Sequence, residues 1–363
     1  MPAGELSSHD VRLLRLRAQG LLPGQAFAGV LDAARGCLCL QAQDVPTARL
    51  ALRARTEGLT AETAAEEAAA AAVCRCWLMR NTVHLFADED LAWMRPLLAP
   101  TPLKQAERRL GQLGVAEKLP QALRTLRREI AKRPLSRDET RAILERVGIE
   151  RGDGIDANAP LYWTFHAAAL LGVLAMRPAL DPSGGFTAAP PDDDPGPDGW
   201  GRLARRYLES YGPATVRDFA YWAKITLTDA RRAWELVDDA VEVATENGAM
   251  TALPSLLEPP ATDGPVVRLL GTWDNYMLGH KGRELAVKTG HGERLPLLSG
   301  FRCAISDGVV FASWKLVREK GGITVAVEPF GRLPPGSRDA LQRETADVGR
   351  FLGAEARLQI DRP

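Results

Sequence analysis

Apolar residues recur at helical spacing along much of the first hundred residues. VRLLRLRAQGLL follows Ser7 and Ser8, either of which is a suitable helix N-cap. LCLQAQ is a short candidate extended segment, and Pro46 favours the start of a second helix, TARLALRAR. AETAAEEAAAAAVCRCWLM predicts a third helix capped by Thr60, and TVHLF predicts a strand because it alternates and contains β-branched residues. Helices followed by a strand hairpin are typical of a winged helix-turn-helix.

Two later stretches repeat this order. Residues 119–148 predict two helices around a break at 134–136, and LYWTFHAAALLGVLAMRPAL then predicts a long apolar helix and a strand. The Pro-, Asp- and Gly-rich segment 190–199 predicts a linker. Three helices follow it, and VEVAT, Asn247-Gly248 and MTAL predict a hairpin with a type I′ turn.

From Val266 onward the pattern becomes strand-rich. VVRLL, GVVFASWKLV and ITVAVEPF predict strands of one small sheet, and RDALQRETADVGRFLG predicts a helix that covers it. The predicted fold class is therefore α+β, with three tandem winged helix-turn-helix units and a C-terminal strand-rich subdomain. The predicted units are 1–100, 101–190, 200–265 and 266–363.

Composition narrows the class of protein. The chain has 363 residues, of which 45% are hydrophobic and 25% charged, as in soluble globular proteins. No apolar run approaches the roughly 20 residues that cross a bilayer, and the start lacks the pattern of a signal peptide. The five cysteines form two C-x-C pairs and one single residue, which predicts buried free thiols more readily than a metal site. We expect a cytoplasmic protein with no metal, no cofactor and no membrane association.

The net charge is zero, but the charges are unevenly distributed along the chain. Residues 11–55 carry seven Arg against two acidic residues, and residues 101–151 carry thirteen Lys or Arg against seven. Residues 227–263 carry eight acidic residues against two Arg. Nucleic-acid binding needs a local basic face and not a basic protein, so this pattern permits DNA binding. The alternative is that these arginines lie on solvent-exposed faces of helices and bind nothing.

Common catalytic motifs are absent: the sequence has no G-x-S-x-G elbow, P-loop, H-E-x-x-H or dinucleotide fingerprint. In the predicted strand after Arg80 and Asn81, Thr82 and His84 share a face, and His84 has either a site role or a structural hydrogen bond. His166 lies in an apolar helix and is predicted to be a core histidine.

Gln41 and Gln43 lie two residues apart in the candidate extended segment. On an extended backbone their side chains point the same way, and two carboxamides can hold and aim one water molecule. The alternative is that one or both satisfy backbone groups at a helix start, and Q-x-Q spacing alone favours this alternative.

A second polar cluster follows an apolar strand, in GTWDNYMLGHKGRE at 271–284. Lys281 and Arg283 are suited to phosphate contacts, and Asp274 and Asn275 are suited to a turn. A polar loop without a functional role is equally compatible with this composition.

Five segments in order resemble the AlkZ-like DNA glycosylases, winged-helix proteins that excise bulky alkylpurines and unhook interstrand crosslinks. They are LRLRAQGLL, LCLQAQDVPTARLALRAR, RCWLMRNTVHLF, YGPATVRDFAYWAK and LLGTWDNYMLGHKGRE. The resemblance implies that Gln41 and Gln43 are the catalytic centre. A Gln at the second position is similar to the branch associated with self-resistance to DNA-alkylating natural products. The chain departs from the family at Asn81, where a Gly is expected.

The resemblance implies a monofunctional DNA glycosylase that acts on bulky N7-alkylguanine in double-stranded DNA, without a protein partner. N7 alkylation makes guanine cationic and a good leaving group, so positioning water and stabilising the sugar cation suffice. As a hypothesis, Gln43 aligns the water and Gln41 supports it or the sugar. The predicted DNA-binding residues are Arg80, Asn81, Thr82, His84, Lys281 and Arg283.

Two other functional hypotheses are compatible with the sequence. A non-enzymatic winged-helix regulator would bind a particular duplex sequence and leave alkylated DNA uncut. A sequestering protein would bind the free alkylating compound without DNA.

Overall fold

The computed structural model describes residues 5–291 and 301–361. The ends of the first and fourth predicted units, and segment 292–300 of the fourth, lie outside these residues. The α-helices described are α1 Ser8–Ala18, α2 Val30–Gly36, α3 Val45–Arg53, α4 Ala61–Ala70, α5 Asp88–Leu98, α6 Pro100–Gln112, α7 Leu119–Ile130, α8 Arg137–Arg146, α9 Ala159–Leu170, α10 Gly199–Tyr211, α11 Val216–Ala223, α12 Leu227–Glu235, α13 Asn275–Leu278 and α14 Ser337–Leu352. The strands described are β1 Leu40–Gln41, β2 Val73–Trp77, β3 Val83–Ala87, β4 Leu174–Arg177, β5 Gly185–Ala188, β6 Val241–Val243, β7 Met250–Ala252, β8 Val267–Leu270, β9 Cys303–Ser306, β10 Val309–Glu319, β11 Gly322–Pro329 and β12 Ala356–Ile360. The mixed α and β content matches the prediction, and the division into three winged units stays a prediction.

Side-chain caps define where several helices start. Ser7 caps α1 and forms a reciprocal pair of hydrogen bonds with Asp10, and Ser136 does the same with Glu139 at α8. The carboxylate of Asp44 accepts a hydrogen bond from the Thr47 N–H, so Asp44 caps α3 immediately after the Q-x-Q segment.

The prediction of one long third helix is wrong in its second half. The helix α4 ends at Ala70, and VCRCW forms β2 in the middle of a sheet. The alanine run hid this boundary, because alanine favours a helix while the β-branched and bulky residues after it pack between two strands. Cys74 and Cys76 therefore share one face of a strand instead of lying on different faces of a helix.

The hairpins of the first two predicted units lie in one antiparallel sheet. Its strand order is β1-β3-β2-β4-β5, and β2 joins the two hairpins where Arg75 pairs with Met176. Arg80 and Asn81 form the turn between β2 and β3, and both have positive φ, 55° and 58°. A glycine is the usual residue for such a conformation, and asparagine is among the residues that tolerate it.

The third unit has the predicted helices and hairpin but a different turn. The strands β6 and β7 pair, and Gly248 with φ 98° is the left-handed residue between them. The Gly248 N–H donates to the Thr245 carbonyl, and Asn247 is not left-handed, so the connection is longer than a two-residue type I′ turn.

The C-terminal sheet has the order β12-β11-β10-β9-β8, and α14 packs on it. The strands β9 and β12 were not predicted. Arg53 of α3 is fully buried against Glu344 and Asp347 of α14, with N–O distances of 3.0 and 2.8 Å. This double ion pair fixes the C-terminal subdomain to the helix that follows Q-x-Q.

All five cysteines are buried and free. Burial raises the pKa of every one of these thiols, which keeps them protonated and unreactive near neutral pH. Within residues 5–291 and 301–361, no helix combines the length and the apolar character that a bilayer crossing requires.

The buried histidine His166 should make the fold less stable in mild acid. Burial lowers the pKa of His166 to about 4, and neither of its ring nitrogens has a hydrogen-bond partner among the described residues. The ring stays neutral in the fold, whereas the unfolded chain takes up a proton below about pH 6.5, so the free energy of unfolding falls by up to about 1.4 kcal/mol per pH unit for this residue. We expect the free energy of unfolding of His166→Phe to fall less steeply with decreasing pH than that of the wild type, by up to about 1.4 kcal/mol per pH unit. The measurement is chemical denaturation between pH 7.5 and 5.5. An unchanged dependence in the variant would contradict the neutral buried ring.

Candidate active site

The two glutamines of Q-x-Q lie at the edge of the first sheet. Gln41 ends the two-residue strand β1, pairs in register with His84 of β3 and is buried, with 5% of its surface exposed. Gln43 is exposed, and its Oε1 accepts a hydrogen bond from the Val83 N–H at 3.0 Å. The Gln41 Oε1 is buried without a hydrogen-bond partner among the described residues. One carboxamide is therefore anchored to β3, and the other keeps a free acceptor.

The backbone of this segment is held by groups from three other parts of the chain. The Gln41 N–H donates to Asn275 Oδ1 at 2.8 Å, and the Ala42 N–H donates to the Val83 carbonyl at 2.9 Å. The Ala42 carbonyl accepts a hydrogen bond from Arg75 Nη1 at 3.3 Å. The peptide groups between the two glutamines are thus fixed on both sides, although the strand itself is only two residues long.

Asn275 clamps the segment through both ends of its side chain. Its Nδ2 donates to the Cys39 carbonyl at 2.6 Å and to the Tyr211 hydroxyl at 2.8 Å, while its Oδ1 accepts from Gln41. The Tyr211 hydroxyl in turn donates to the Cys37 carbonyl at 3.0 Å. The 271–284 segment and α10 therefore set the position of Q-x-Q from more than 160 residues away in sequence.

Asp274 anchors this clamp. Both of its carboxylate oxygens accept hydrogen bonds from Arg55, at 2.7 and 2.8 Å, and both side chains are fully buried. Burial disfavours the charged guanidinium, but the Asp274 carboxylate outweighs it and raises the pKa of Arg55. Removing either partner would leave an unpaired charge in the core, which typically costs about 3–5 kcal/mol.

Arg75 is a buried cation behind the segment. It is 3% exposed, and its Nε and Nη2 have no hydrogen-bond partner among the described residues. Burial first, and the nearby Arg137 second, lower the pKa of Arg75 to about 10, so it remains charged at neutral pH. Its positive charge lies next to the Ala42 carbonyl on the β2 side.

His84 has a structural role that positions Arg80. Its Nδ1 lies 3.1 Å from the Thr82 carbonyl and its Nε2 lies 3.2 Å from Arg80 Nη2. A guanidinium can only donate, so Nε2 accepts and the ring is the neutral Nδ1–H form. Burial, reinforced by the Arg80 charge, holds the pKa of His84 well below its usual value. His84 is therefore unsuited to act as a general acid.

A cleft of about 1180 Å³ is lined by residues of all four predicted units, mainly the first and third. Its walls are the Met79–Asn81 turn, the α5–α6 junction, and the connection between α11 and α12 together with Lys281. We call it the aromatic cleft because Trp200 and Tyr221 line it. Four of its lining residues are cationic and one is acidic, which suits an anionic ligand such as DNA.

Three of the six predicted DNA-binding residues line the aromatic cleft: Arg80, Asn81 and Lys281. Thr82 donates to the Met79 carbonyl below the turn, and His84 is buried behind Arg80. Arg283 is half-buried beside a small cavity near Arg15 and His280. Neither Gln41 nor Gln43 lines the cleft. The two regions are connected by Arg80, which lines the cleft and contacts His84, and by His84, which pairs with Gln41 between β3 and β1.

Several site residues escaped the sequence analysis. Arg217, Lys224 and Tyr221 line the aromatic cleft from α11 and its end; they lie in YGPATVRDFAYWAK, which resembles the family, but no role was predicted for them from the sequence. Arg75 was hidden inside the segment taken for a helix; a charged residue in an otherwise apolar strand is the signal that would have revealed it. Asn275 was recognised as polar, but its long-range clamp cannot be inferred from local sequence.

Among the described residues, no three His, Cys, Asp or Glu side chains are placed to hold a metal ion.

Comparisons with known proteins place this geometry in a family. The family model "DNA glycosylase AlkZ-like" matches residues 34–351. An "Interstrand DNA cross-link repair glycosylase" from Streptomyces sahachiroi is 28% identical over 361 residues, covering 90% of this chain and 91% of the relative. The solved structure of the Streptomyces sahachiroi DNA glycosylase AlkZ matches with a TM-score of 0.76 and 23% identity, covering 98% of this chain and 100% of that one. This structural likeness shows a shared fold.

Because the family model spans most of the chain, from residue 34 to residue 351, the protein belongs to the AlkZ-like DNA glycosylases and is itself a DNA glycosylase, as the sequence predicts.

Proposed function

We propose that this glycosylase hydrolyses the N-glycosidic bond of bulky N7-alkylguanine adducts or crosslinks in double-stranded DNA, and that Gln41 and Gln43 direct the attacking water. The observation that carries the proposal is the Gln41 Oε1, a buried acceptor without a partner beside a second, exposed carboxamide. Buried polar groups are nearly always hydrogen-bonded, so such an atom favours a bound donor such as water.

The substrate class follows from the chemistry these residues can supply. A carboxamide neither takes up nor releases a proton near neutral pH, and burial, reinforced by the Arg80 charge, holds the pKa of His84 well below its usual value. Without an acid to protonate the departing base, the enzyme needs a base that leaves unaided. N7-alkylated guanine is cationic before the bond breaks, which meets this requirement.

The geometry supports a refined division of labour between the two glutamines. The Gln43 Oε1 already accepts from Val83, whereas the Gln41 Oε1 is free. We therefore assign the water to Gln41, and we assign to the exposed Gln43 amide the support of that water or of the sugar. This reverses the assignment expected from the sequence.

No lysine is part of the Q-x-Q clamp, so we propose hydrolysis to an abasic site without a covalent enzyme–DNA intermediate. In the organism, we propose that the enzyme gives self-resistance to a DNA-alkylating natural product. The name of the Streptomyces sahachiroi relative, an interstrand cross-link repair glycosylase, supports a role in repair of cross-linked DNA.

The carboxamides are tested by substitution. We expect Gln41→Ala and Gln43→Ala each to lower the single-turnover rate of adduct release by about 100-fold or more, the usual cost of losing a group aimed at the reaction centre. The affinity for DNA should stay within about threefold of the wild-type value, because neither side chain lines the aromatic cleft with its four cationic residues. The control is Gln25→Ala, which removes an exposed glutamine outside the motif. Full activity of the Gln41→Ala Gln43→Ala double variant would refute the mechanism.

The clamp is tested separately from the glutamines. We expect Asn275→Ala to lower kcat by about 10- to 100-fold with little change in KM, because the Gln41 backbone loses its fixed position. Tyr276→Phe is the matched control, since it removes a neighbouring buried hydroxyl that donates to the Gly308 carbonyl and leaves the Asn275 contacts with Gln41 and Cys39 in place. Equal kcat values for the two variants, at equal melting temperature, would argue against a positioning role.

The rate of base release should not depend on pH between about 6 and 8, because no group of the motif titrates there and burial holds the pKa of His84 well below its usual value. The check is the single-turnover rate after subtraction of spontaneous depurination. A rate that rises with protonation around pH 6.5, and loses this rise in His84→Asn, would contradict the neutral assignment.

A further inference from the structure

The aromatic cleft is built for more than phosphate contacts. Its walls include Leu97, Trp200, Tyr221, Ile225 and Leu227, which form an apolar and aromatic surface. Contacts with a DNA backbone use cations, hydroxyls and N–H groups, so they do not account for such a surface. The volume of about 1180 Å³ is large enough to hold a drug-sized group.

The two aromatic side chains are available to a ligand. Trp200 and Tyr221 are half-buried, and neither stacks on another aromatic ring among the described residues. The neighbouring aromatics of this unit behave differently: Tyr207, Tyr211 and Trp222 pack on one another in the core. Aromatic rings left at a concave surface are suited to stack on a planar ligand.

Asn81 adds a polar feature where a glycine is expected from the family. Its Nδ2 donates to Gln105 Oε1 at 2.8 Å, and its Oδ1 is buried without a partner among the described residues. The side chain is therefore held by α6 at the wall of the cleft and has an acceptor left for an O–H or N–H of a ligand.

The position of the cleft relates it to the reaction. Arg80 lines the cleft, lies 3.2 Å from His84 through its Nη2, and thereby borders the strand pair that carries Gln41. A group that occupies the cleft is thus separated from the Q-x-Q motif by Arg80 and His84.

We infer that the aromatic cleft binds the planar aromatic portion of a bulky guanine adduct and so selects which lesions are excised; this rests on the proposed function. Arg80, Arg217, Lys224 and Lys281 contact the phosphates on the rim. Tyr221 and Trp200 stack on the aromatic portion, and Asn81 accepts a hydrogen bond from it. The adducted guanine remains on the side of Arg80 that faces Gln41.

The test measures binding without turnover, in the Gln41→Ala Gln43→Ala background. The ligands are a duplex with one aflatoxin B1 N7-guanine adduct, the same duplex without the adduct, and free aflatoxin B1. We expect this parent to prefer the adducted duplex by about 10-fold or more, and Tyr221→Ala to reduce the preference below about threefold, in line with the usual contribution of one stacked ring. Tyr221→Phe should keep the preference. Arg217→Ala should weaken both duplexes by the same factor, and Leu236→Ala, an exposed apolar residue outside the cleft, should change neither.

Each other outcome overturns the inference. An adduct preference that survives Tyr221→Ala, or a loss of affinity that is equal for both duplexes, would assign the cleft to DNA alone. Free aflatoxin B1 that binds as tightly as the adducted duplex would assign it to the free compound. If the wild-type enzyme releases the base but the double-alanine parent shows no preference for the adducted duplex, this inference is refuted and the proposed function stands. If the parent shows the preference but the wild-type enzyme releases no base, the proposed function is refuted and the binding role of the cleft stands.

Discussion

The structure depends on one constraint: two glutamines must be held at a sheet edge by a strand too short to hold them. The strand β1 has two residues, and its ladder with β3 supplies few of the hydrogen bonds its backbone needs. Asn275 and Arg75 supply others, from the far end of the chain and from β2. The buried Arg55–Asp274 pair holds Asn275 in place, so the core ion pair and the catalytic candidate belong to one continuous network.

In the proposed mechanism, this arrangement lets groups with little intrinsic reactivity take part in catalysis. Carboxamides cannot gain strength from a shifted pKa, so what the protein can contribute is position. The arginines near the motif fix its geometry. Arg80 donates a hydrogen bond to the neutral ring of His84, and Arg75 donates one to the Ala42 carbonyl. The proposed mechanism therefore takes its driving force from the substrate, and the proposed cationic base provides it.

The sequence predicts elements whose signals are local. Caps such as Ser7 and Thr60, the apolar period of α7 and α10, and the alternation in β3 each act within a few residues, and the structure has all of them. The prediction failed at β2, where an alanine-rich helix runs into a strand whose partners, β3 and β4, come later in the chain. For the same reason the sequence could point to Q-x-Q but could not show that Asn275 holds it. The turn at Asn81 is intermediate, since its residue type was noted as unusual and its positive φ gives the physical reason.

The central claim is that neutral carboxamides direct water to a base that leaves without acid. The most direct measurement uses wild-type enzyme and a duplex with a single bulky N7-guanine adduct, in water labelled with ¹⁸O. The account predicts release of the intact adducted base, an abasic sugar that carries the label at C1′, and no protein–DNA complex trapped by borohydride. An unreleased adduct, or a trapped covalent complex, would contradict it.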